Sequence, residues 1–271
     1  MNVIFWNIKN KPETKTDILL KLIEDTDPDI FFIAESNQEF NLNDIDKNYV
    51  KINFKGNKRG KVVTSFIKSN IQLTNREYYF NGRIAVCVFE KNNEKIAICG
   101  VHLYSKLNES FNQHYYSGDL RKEIFKICDL YNKVLFIGDF NLLPWDIEMC
   151  SISGLNAIPW SSEIITQNFI LKNNVKHYYL YNPMWNYLGD ELLGSNCGAK
   201  GSYKIEKEGS LKWQFIDQII CSKGLIDKVF PNRIKIIEKI NLNNQFIDIL
   251  MMDNKGKYKY SDHYPIFCNI N

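Results

Sequence analysis

Val134-Leu135-Phe136-Ile137-Gly138-Asp139-Phe140-Asn141 decides how this chain is read: an apolar run of strand length that stops on a glycine, a carboxylate and an amide. Short runs rich in Ile, Val and Phe read as buried β-strands. The same polar interruption recurs elsewhere. Asn7 ends the run from Asn2 to Trp6, Glu35 ends Ile30-Phe31-Phe32-Ile33-Ala34, and His102 ends Ile96 to Val101. Asp217 stands near the start of Ile216 to Cys221, and Asp262-His263 immediately precede Tyr264-Pro265-Ile266-Phe267. If the last two strands run opposite to the first four, all six positions meet at one edge of the fold. A single polar residue at a strand end only marks where the chain meets water. Six interruptions carrying Glu, three Asp, two His and two Asn, with hardly a Lys or Arg among them, call for another explanation. Carboxylates gathered without cationic partners repel one another and shift each other's pKa values, so a cation is expected among them. Oxygen ligands select hard ions, and Mg²⁺ takes one or two carboxylates together with water and substrate phosphate.

The rest of the chain sets bounds on this site. Its 271 residues are 45% hydrophobic and 14% aromatic, enough for a sizeable core and too apolar for a disordered tail or a fibrous repeat. Thirty-four basic and 31 acidic residues give a net charge of +3, so polyanion binding has to come from a local patch. Cysteines at 87, 99, 128, 150, 197, 221 and 268 form no C-x-x-C pair and read as reduced, mostly buried thiols. No secretion signal or membrane-spanning run is visible, and no assembly segment either. A soluble, cytoplasmic, monomeric protein is the expectation.

There is no linker, repeat or low-complexity stretch, so residues 1–271 are expected to form a single catalytic domain. Further strand-like runs lie at Val62 to Ile67, Ile84 to Phe89, Phe246 to Met251 and Pro265 to Ile270. Helical spacing appears in Thr14 to Asp25, with Ile18, Leu19, Leu22 and Ile23 on one face, and again around Leu120, Ile124, Ile127, Cys128 and Tyr131. This mixture predicts α/β architecture, mixed or antiparallel sheets with helices on their outer faces. The segment at about 145–212 is aromatic and without clear period, and reads as an irregular functional surface.

With these residues in view, the sequence resembles the endonuclease/exonuclease/phosphatase superfamily of metal-dependent phosphodiesterases, which includes pancreatic-type deoxyribonucleases and apurinic endonucleases. The motifs stand in the family's order: Phe5-Trp6-Asn7, Ala34-Glu35, Val101-His102-Leu103, Gly138-Asp139-Phe140-Asn141, Phe215-Ile216-Asp217-Gln218 and Ser261-Asp262-His263. The resemblance implies a four-layer α/β sandwich, two central mixed β-sheets face to face with helices outside. It implies Glu35 as principal Mg²⁺ or Mn²⁺ ligand, helped by Asn7 and Asp262. Asp139 would orient and deprotonate the attacking water, and Asn141 would hold that water or a phosphate oxygen. His263, paired with Asp217, would stabilise the pentacovalent phosphorus or transfer a proton, and His102 would contact the scissile phosphate or aid the leaving oxygen. Two departures stand out. Many members carry Arg two positions before the aspartate of the fifth motif, where this chain has Phe215; some carry an acidic residue two positions after the first asparagine, where it has Lys9. The core set survives both changes, but together they argue against a second permanent metal site.

Lys257 and Lys259 alternate with Tyr258 and Tyr260 just before Asp262, and Lys58 and Arg59 belong to another basic cluster that includes Lys51, Lys55 and Lys61. Beside a phosphodiesterase centre such residues fit a nucleic-acid groove, lysines on phosphates and tyrosines on bases; alone they are ordinary solvated surface. Tyr178, Tyr179, Tyr181, Trp185 and Tyr187 read equally as a substrate wall or as core. His114 and His177 match no motif and read as surface or helix residues. The leading expectation is a metal-dependent nuclease on DNA or RNA. Its rivals are a phosphatase or phosphodiesterase on a lipid headgroup, inositol phosphate or nucleotide, and a noncatalytic scaffold of the same fold.

Overall fold

The computed structural model describes residues 1–9, 16–36, 40–56, 63–106, 113–188, 201–205 and 212–270. In chain order the strands are β1 (Asn2–Asn7), β2 (Ile30–Ala34), β3 (Tyr49–Lys51), β4 (Thr64–Lys68), β5 (Asn75–Tyr79), β6 (Ile84–Lys91), β7 (Glu94–His102), β8 (Lys133–Asp139), β9 (Ala157–Ile158) and β10 (Phe169–Lys172). They continue with β11 (Val175–Tyr178), β12 (Leu180–Tyr181), β13 (Tyr203–Lys204), β14 (Trp213–Gln214), β15 (Asp217–Cys221), β16 (Ile234–Ile236), β17 (Lys239–Leu242), β18 (Gln245–Asp248) and β19 (Ile266–Asn269). The α-helices are α1 (Thr16–Thr26), α2 (Gln113–Leu130), α3 (Ile147–Cys150) and α4 (Ser161–Thr166).

Among the described residues, one sheet has six strands in the order β16-β19-β1-β2-β4-β3, and the other has seven in the order β5-β6-β7-β8-β15-β12-β9. β1 is parallel to β2, and β7 to β8. Parallel neighbours need a long crossover, and α1 and α2 supply the two. Because successive side chains of a strand point to opposite faces, β1 divides its residues between two interfaces. Val3 and Phe5, with Ile30 and Phe32 of β2, pack against Ile98, Leu135, Ile137 and Ile219 of the other sheet. Ile4 and Trp6 face outward, joining Phe31 and Ile33 under Ile18, Leu19 and Leu22 of α1. On the far side, Cys99, Val101, Val134 and Phe136 lie under Leu120, Ile124 and Ile127 of α2. Three apolar interfaces separate four layers, the expected α/β sandwich. At its middle the sheets touch closely: a Cβ on Gly100 would stand 2.3 Å from the Phe32 ring.

One expectation about local structure changes. The stretch beginning near residue 145 is not irregular through 188, since it holds α3, β9, α4, the β10–β11 hairpin and β12. Each of these pieces spans two to six residues, too short to display a period. The Phe246 run forms β18, which lies outside the two large sheets. Asn243 and Asn244 take left-handed φ of 52° and 64°, folding β18 back on β17 as a separate hairpin with Phe246 77% exposed. Among the described residues, five cysteines are buried free thiols and Cys150 is half-buried, and no helix is long and apolar enough to cross a membrane.

Candidate active site

Strand register gathers the polar ends. β7 and β8 finish together, pairing His102 with Asp139, and β15 starts antiparallel on the other side of β8, pairing Asp217 with Asp139. In the facing sheet Asn7 pairs with Ala34, so Asn7 and Glu35 leave at the same edge. β19 runs antiparallel to β1, and Ser261-Asp262-His263 precede it at that edge. Asn7 Nδ2 donates to Asp139 Oδ2 at 3.2 Å, joining the two sheets across the site. Within the second sheet Gly138 lets β8 lie against β7 at this end, because a Cβ there would stand 2.0 Å from the Val101 carbonyl oxygen. Lys9, Glu35 and Asn141 turn out of their strands with φ of 48°, 54° and 50°. Left-handed backbone in such residues costs on the order of 1–3 kcal/mol each and clusters at functional sites.

Around these ends lies a cleft of about 660 Å³ whose lining includes Asn7, Glu35, His102, Asp139, Asn141, Asp262 and His263. Asp217 is fully buried behind it and its Oδ2 meets His263 Nδ1 at 2.9 Å. Trp6 Nε1 donates to the His263 carbonyl at 3.0 Å and holds that backbone in place. Asp139 Oδ1 accepts from the Asn141 N–H at 2.9 Å. His102 Nε2 sits between two carboxylates, 3.7 Å from Glu35 Oε1 and 3.9 Å from Asp139 Oδ2. Its Nδ1 is 3.5 Å from Arg83 Nη1. A guanidinium can only donate, so this contact places the imidazole proton on Nε2, toward the carboxylates.

Charge and burial act together here. Burial, followed by the negative charge of Asp217, raises the Asp139 carboxyl well above the usual carboxylate range. For His263 burial opposes the cation, but Asp217, with Asp139 and Asp262 behind it, outweighs burial and raises the ring to about 9. Both shifts mean that the folded chain binds protons more tightly than the unfolded chain, so stability from these groups falls as pH rises. The His263 contribution is fully present below its ordinary value of 6.5 and is lost as pH climbs through about 9. Without divalent ions, the urea midpoint should fall across that interval and His263→Gln should flatten the fall; an identical decline in the variant would contradict the pairing.

The donor set suits a hard cation. It offers carboxylate, amide oxygen and imidazole groups and no thiol among the described lining residues. Atoms of Asp139, Asp217 and His263 lie within 4.8 Å of one another, but Asp217 and His263 already bond to each other and Asp217 lies behind the cleft. Glu35, Asn7 and Asp139 face the opening, where an ion has room.

Several features were not legible beforehand. Arg83, 7% exposed, lies over the Tyr104 ring at 3.9 Å, and its Nε has no hydrogen-bond partner among the described residues. It immediately precedes the apolar run from Ile84, which is the same strand-end signal that marks the carboxylates. The Tyr203 ring lies 4.6 Å from that of His263, and nothing in its short glycine-flanked segment announces it. Lys9 Nζ meets Asp262 Oδ2 at 2.5 Å.

Of the expected substrate contacts, Lys257 and Lys259 are exposed and Tyr258 is half-buried. Tyr260 is corrected: its ring is buried beneath the first sheet among Ile240 and Ile249 and has no face free for a base. Tyr178 and Tyr181 likewise pack into the cores, and Tyr187 donates to the Ile234 carbonyl, so Tyr104 and Tyr203 line the cleft instead. His177 is a buried strand residue. Lys58 and Arg59 lie outside the described residues.

No family model and no curated protein matches the chain. Solved structures do. TDP2 from D. rerio, complexed with single strand DNA product, aligns with a TM-score of 0.64 at 17% identity, covering 100% of this chain and 98% of its own. The 3′ phosphatase NExo from Neisseria, bound to product DNA hairpin, aligns with a TM-score of 0.63 at 12% identity over 100% and 99% of the two chains. The human Nocturnin catalytic domain, with bound sulfate anion, gives 0.55 at 15% identity over 100% and 94%.

Proposed function

We propose that this chain, which has the fold of the endonuclease/exonuclease/phosphatase superfamily, is a divalent-metal-dependent phosphodiesterase that hydrolyses nucleic acid, DNA or RNA, by in-line attack of water. The observation that carries the reading is the meeting of Asn7, Glu35, His102, Asp139, Asn141, Asp262 and His263 in one cleft, with Asp217 behind them. Those residues are spread from position 7 to 263, so the whole chain acts as a single catalytic domain. Two fold neighbours hold DNA products in their structures, which favours a nucleic-acid substrate.

Glu35 and Asn7 would hold Mg²⁺ or Mn²⁺, which when bound neutralises charge on the nonbridging phosphate oxygens. Asp262, the further expected ligand, carries the Lys9 ammonium. Asp139 is fixed by the Asn7 amide and the Asn141 N–H, and it would orient the water and accept its proton. With its carboxyl raised, Asp139 is a better base than an ordinary carboxylate. His263 is then the charged partner: held cationic by Asp217, it would stabilise the five-coordinate phosphorus. His102 would present Nε2–H to a phosphate or leaving oxygen, and the buried Arg83 guanidinium, whose Nη1 donates to the His102 carbonyl, would add positive charge to the same cleft.

Trp145 and Ile147, 40% and 57% exposed, flank Asp146, a cleft residue, and favour the second reading of a lipid headgroup, inositol phosphate or nucleotide substrate. Activity of the purified chain on DNA and RNA, against phosphate release from those small esters, in Mg²⁺ or Mn²⁺ and again in EDTA, decides between them.

The Lys257–Lys259 loop is tested separately. It is turned by Asp253, whose Oδ1 accepts from the Lys255 and Lys257 N–H groups at 2.8 and 2.9 Å. Charge reversal of both lysines is expected to weaken oligonucleotide binding and lower its salt slope by about two, roughly one per phosphate contact. An unchanged affinity and slope would remove this loop from the groove.

A further inference from the structure

The geometry points to Lys9 as a fixed cation of the cleft, one that takes the place of a divalent ion at Asp262 and presents its charge to the substrate phosphate. The inference rests on the phosphodiesterase reading of the site and goes beyond it by assigning a residue outside the expected set. Lys9 Nζ lies 2.5 Å from Asp262 Oδ2, and the two side chains are 52% and 11% exposed. The carboxylate is therefore mostly shielded from water while the lysine remains open to the cleft that both line. An exposed pair of this kind would count for little, but a largely buried carboxylate needs a cation to offset its lost hydration.

The backbone sets the position of this lysine. Ile8 is fully buried, the chain turns at Lys9 with φ of 48°, and the Lys9 N–H donates to Asn7 Oδ1 at 3.2 Å. From the other side, Ser261 Oγ donates to the Asn7 carbonyl at 2.6 Å, which ties the segment carrying Asp262 to the exit of β1. The Tyr258 ring, with its centroid 5.6 Å from Nζ, gives the ammonium an aromatic face to rest on. Of three ammonium N–H donors, Asp262 uses one, and no other acceptor among the described residues takes the rest. The unused donors are available to a phosphate oxygen. A divalent ion and an ammonium repel, so Lys9 on Asp262 Oδ2 weakens this carboxylate as a ligand for such an ion. Glu35 and Asn7 would then hold the divalent ion, and Lys9 would supply at Asp262 the positive charge that a second ion would otherwise bring.

Calorimetric titration of the full chain with Mn²⁺ tests this without reference to turnover. The wild type is expected to bind a single ion. Lys9→Ala should bind Mn²⁺ about tenfold more tightly, because a like charge is removed and Asp262 is released to it. Lys9→Arg should stay near wild type, and adding Asp262→Asn to Lys9→Ala should reverse the gain. In parallel, Lys9→Ala should lower the salt slope for binding a phosphorothioate oligonucleotide by about one. Two ions on the wild type, or an unchanged Mn²⁺ affinity in Lys9→Ala, would overturn the role of Lys9 alone. No Mn²⁺ binding by either protein would overturn the metal-dependent reading and this inference with it.

Discussion

Asp139→Asn is expected to lower the rate of phosphodiester hydrolysis by about 10³-fold, within the range for loss of a positioned general base. Asparagine keeps the shape of the side chain and, through its one oxygen, the bond from the Asn141 N–H, but its NH₂ group faces the Asn7 amide donor and it cannot accept the proton of the attacking water. The fold should not suffer. Asp139 is 2% exposed, and burial together with the charge of Asp217 makes its ionised form unfavourable without a metal ion. The metal-free variant should therefore unfold at a urea concentration equal to or above that of the wild type. Loss of activity with a retained midpoint separates chemistry from folding. Activity within tenfold of wild type would remove Asp139 from the role of base.

Asp217→Asn is expected to have an effect of similar size by another route, since Asp217 touches no substrate. It is fully buried, lies outside the cleft lining, and meets His263 Nδ1 at 2.9 Å. The carboxylate fixes the ring and supports its positive charge. Without it the ring titrates lower, so turnover should fall by about 10²–10³-fold and the alkaline limb of the rate profile should move to lower pH. His263→Ala should lose about as much, and the double variant little more, because two residues acting as one unit are not additive. Additive losses, or an alkaline limb that stays in place, would show that Asp217 and His263 act independently.

The strands were legible because both faces of each sheet are covered, which writes continuous apolar runs such as Ile30 to Ala34 into the sequence. Their polar ends were legible for the same reason, since Asn7, Glu35, His102 and Asp139 interrupt otherwise unbroken apolar stretches. Strand order was not. Nothing local to Asp217 says that β15 lies antiparallel beside β8 with those two aspartates opposite each other, because that depends on pairing across distant segments. Tyrosine was a second blind spot. Its ring suits a core and its hydroxyl suits water, so Tyr260 and Tyr178 could be read as substrate contacts while Tyr104 and Tyr203 drew no reading, and only packing separates them. Lys9 was visible as an oddity, but its pairing with Asp262 spans 253 positions and needed the fold.

The converging strand ends are proposed to form a metal-dependent phosphodiesterase centre directed at nucleic acid. The most direct measurement is hydrolysis by purified protein of duplex, single-stranded and abasic DNA and of RNA, alongside inositol and lipid phosphates, in Mg²⁺ or Mn²⁺ with Asp139→Asn as control. The expected result is cleavage of a nucleic acid that EDTA and Asp139→Asn both abolish. Intact nucleic acids together with phosphate release from the inositol or lipid substrates would contradict it.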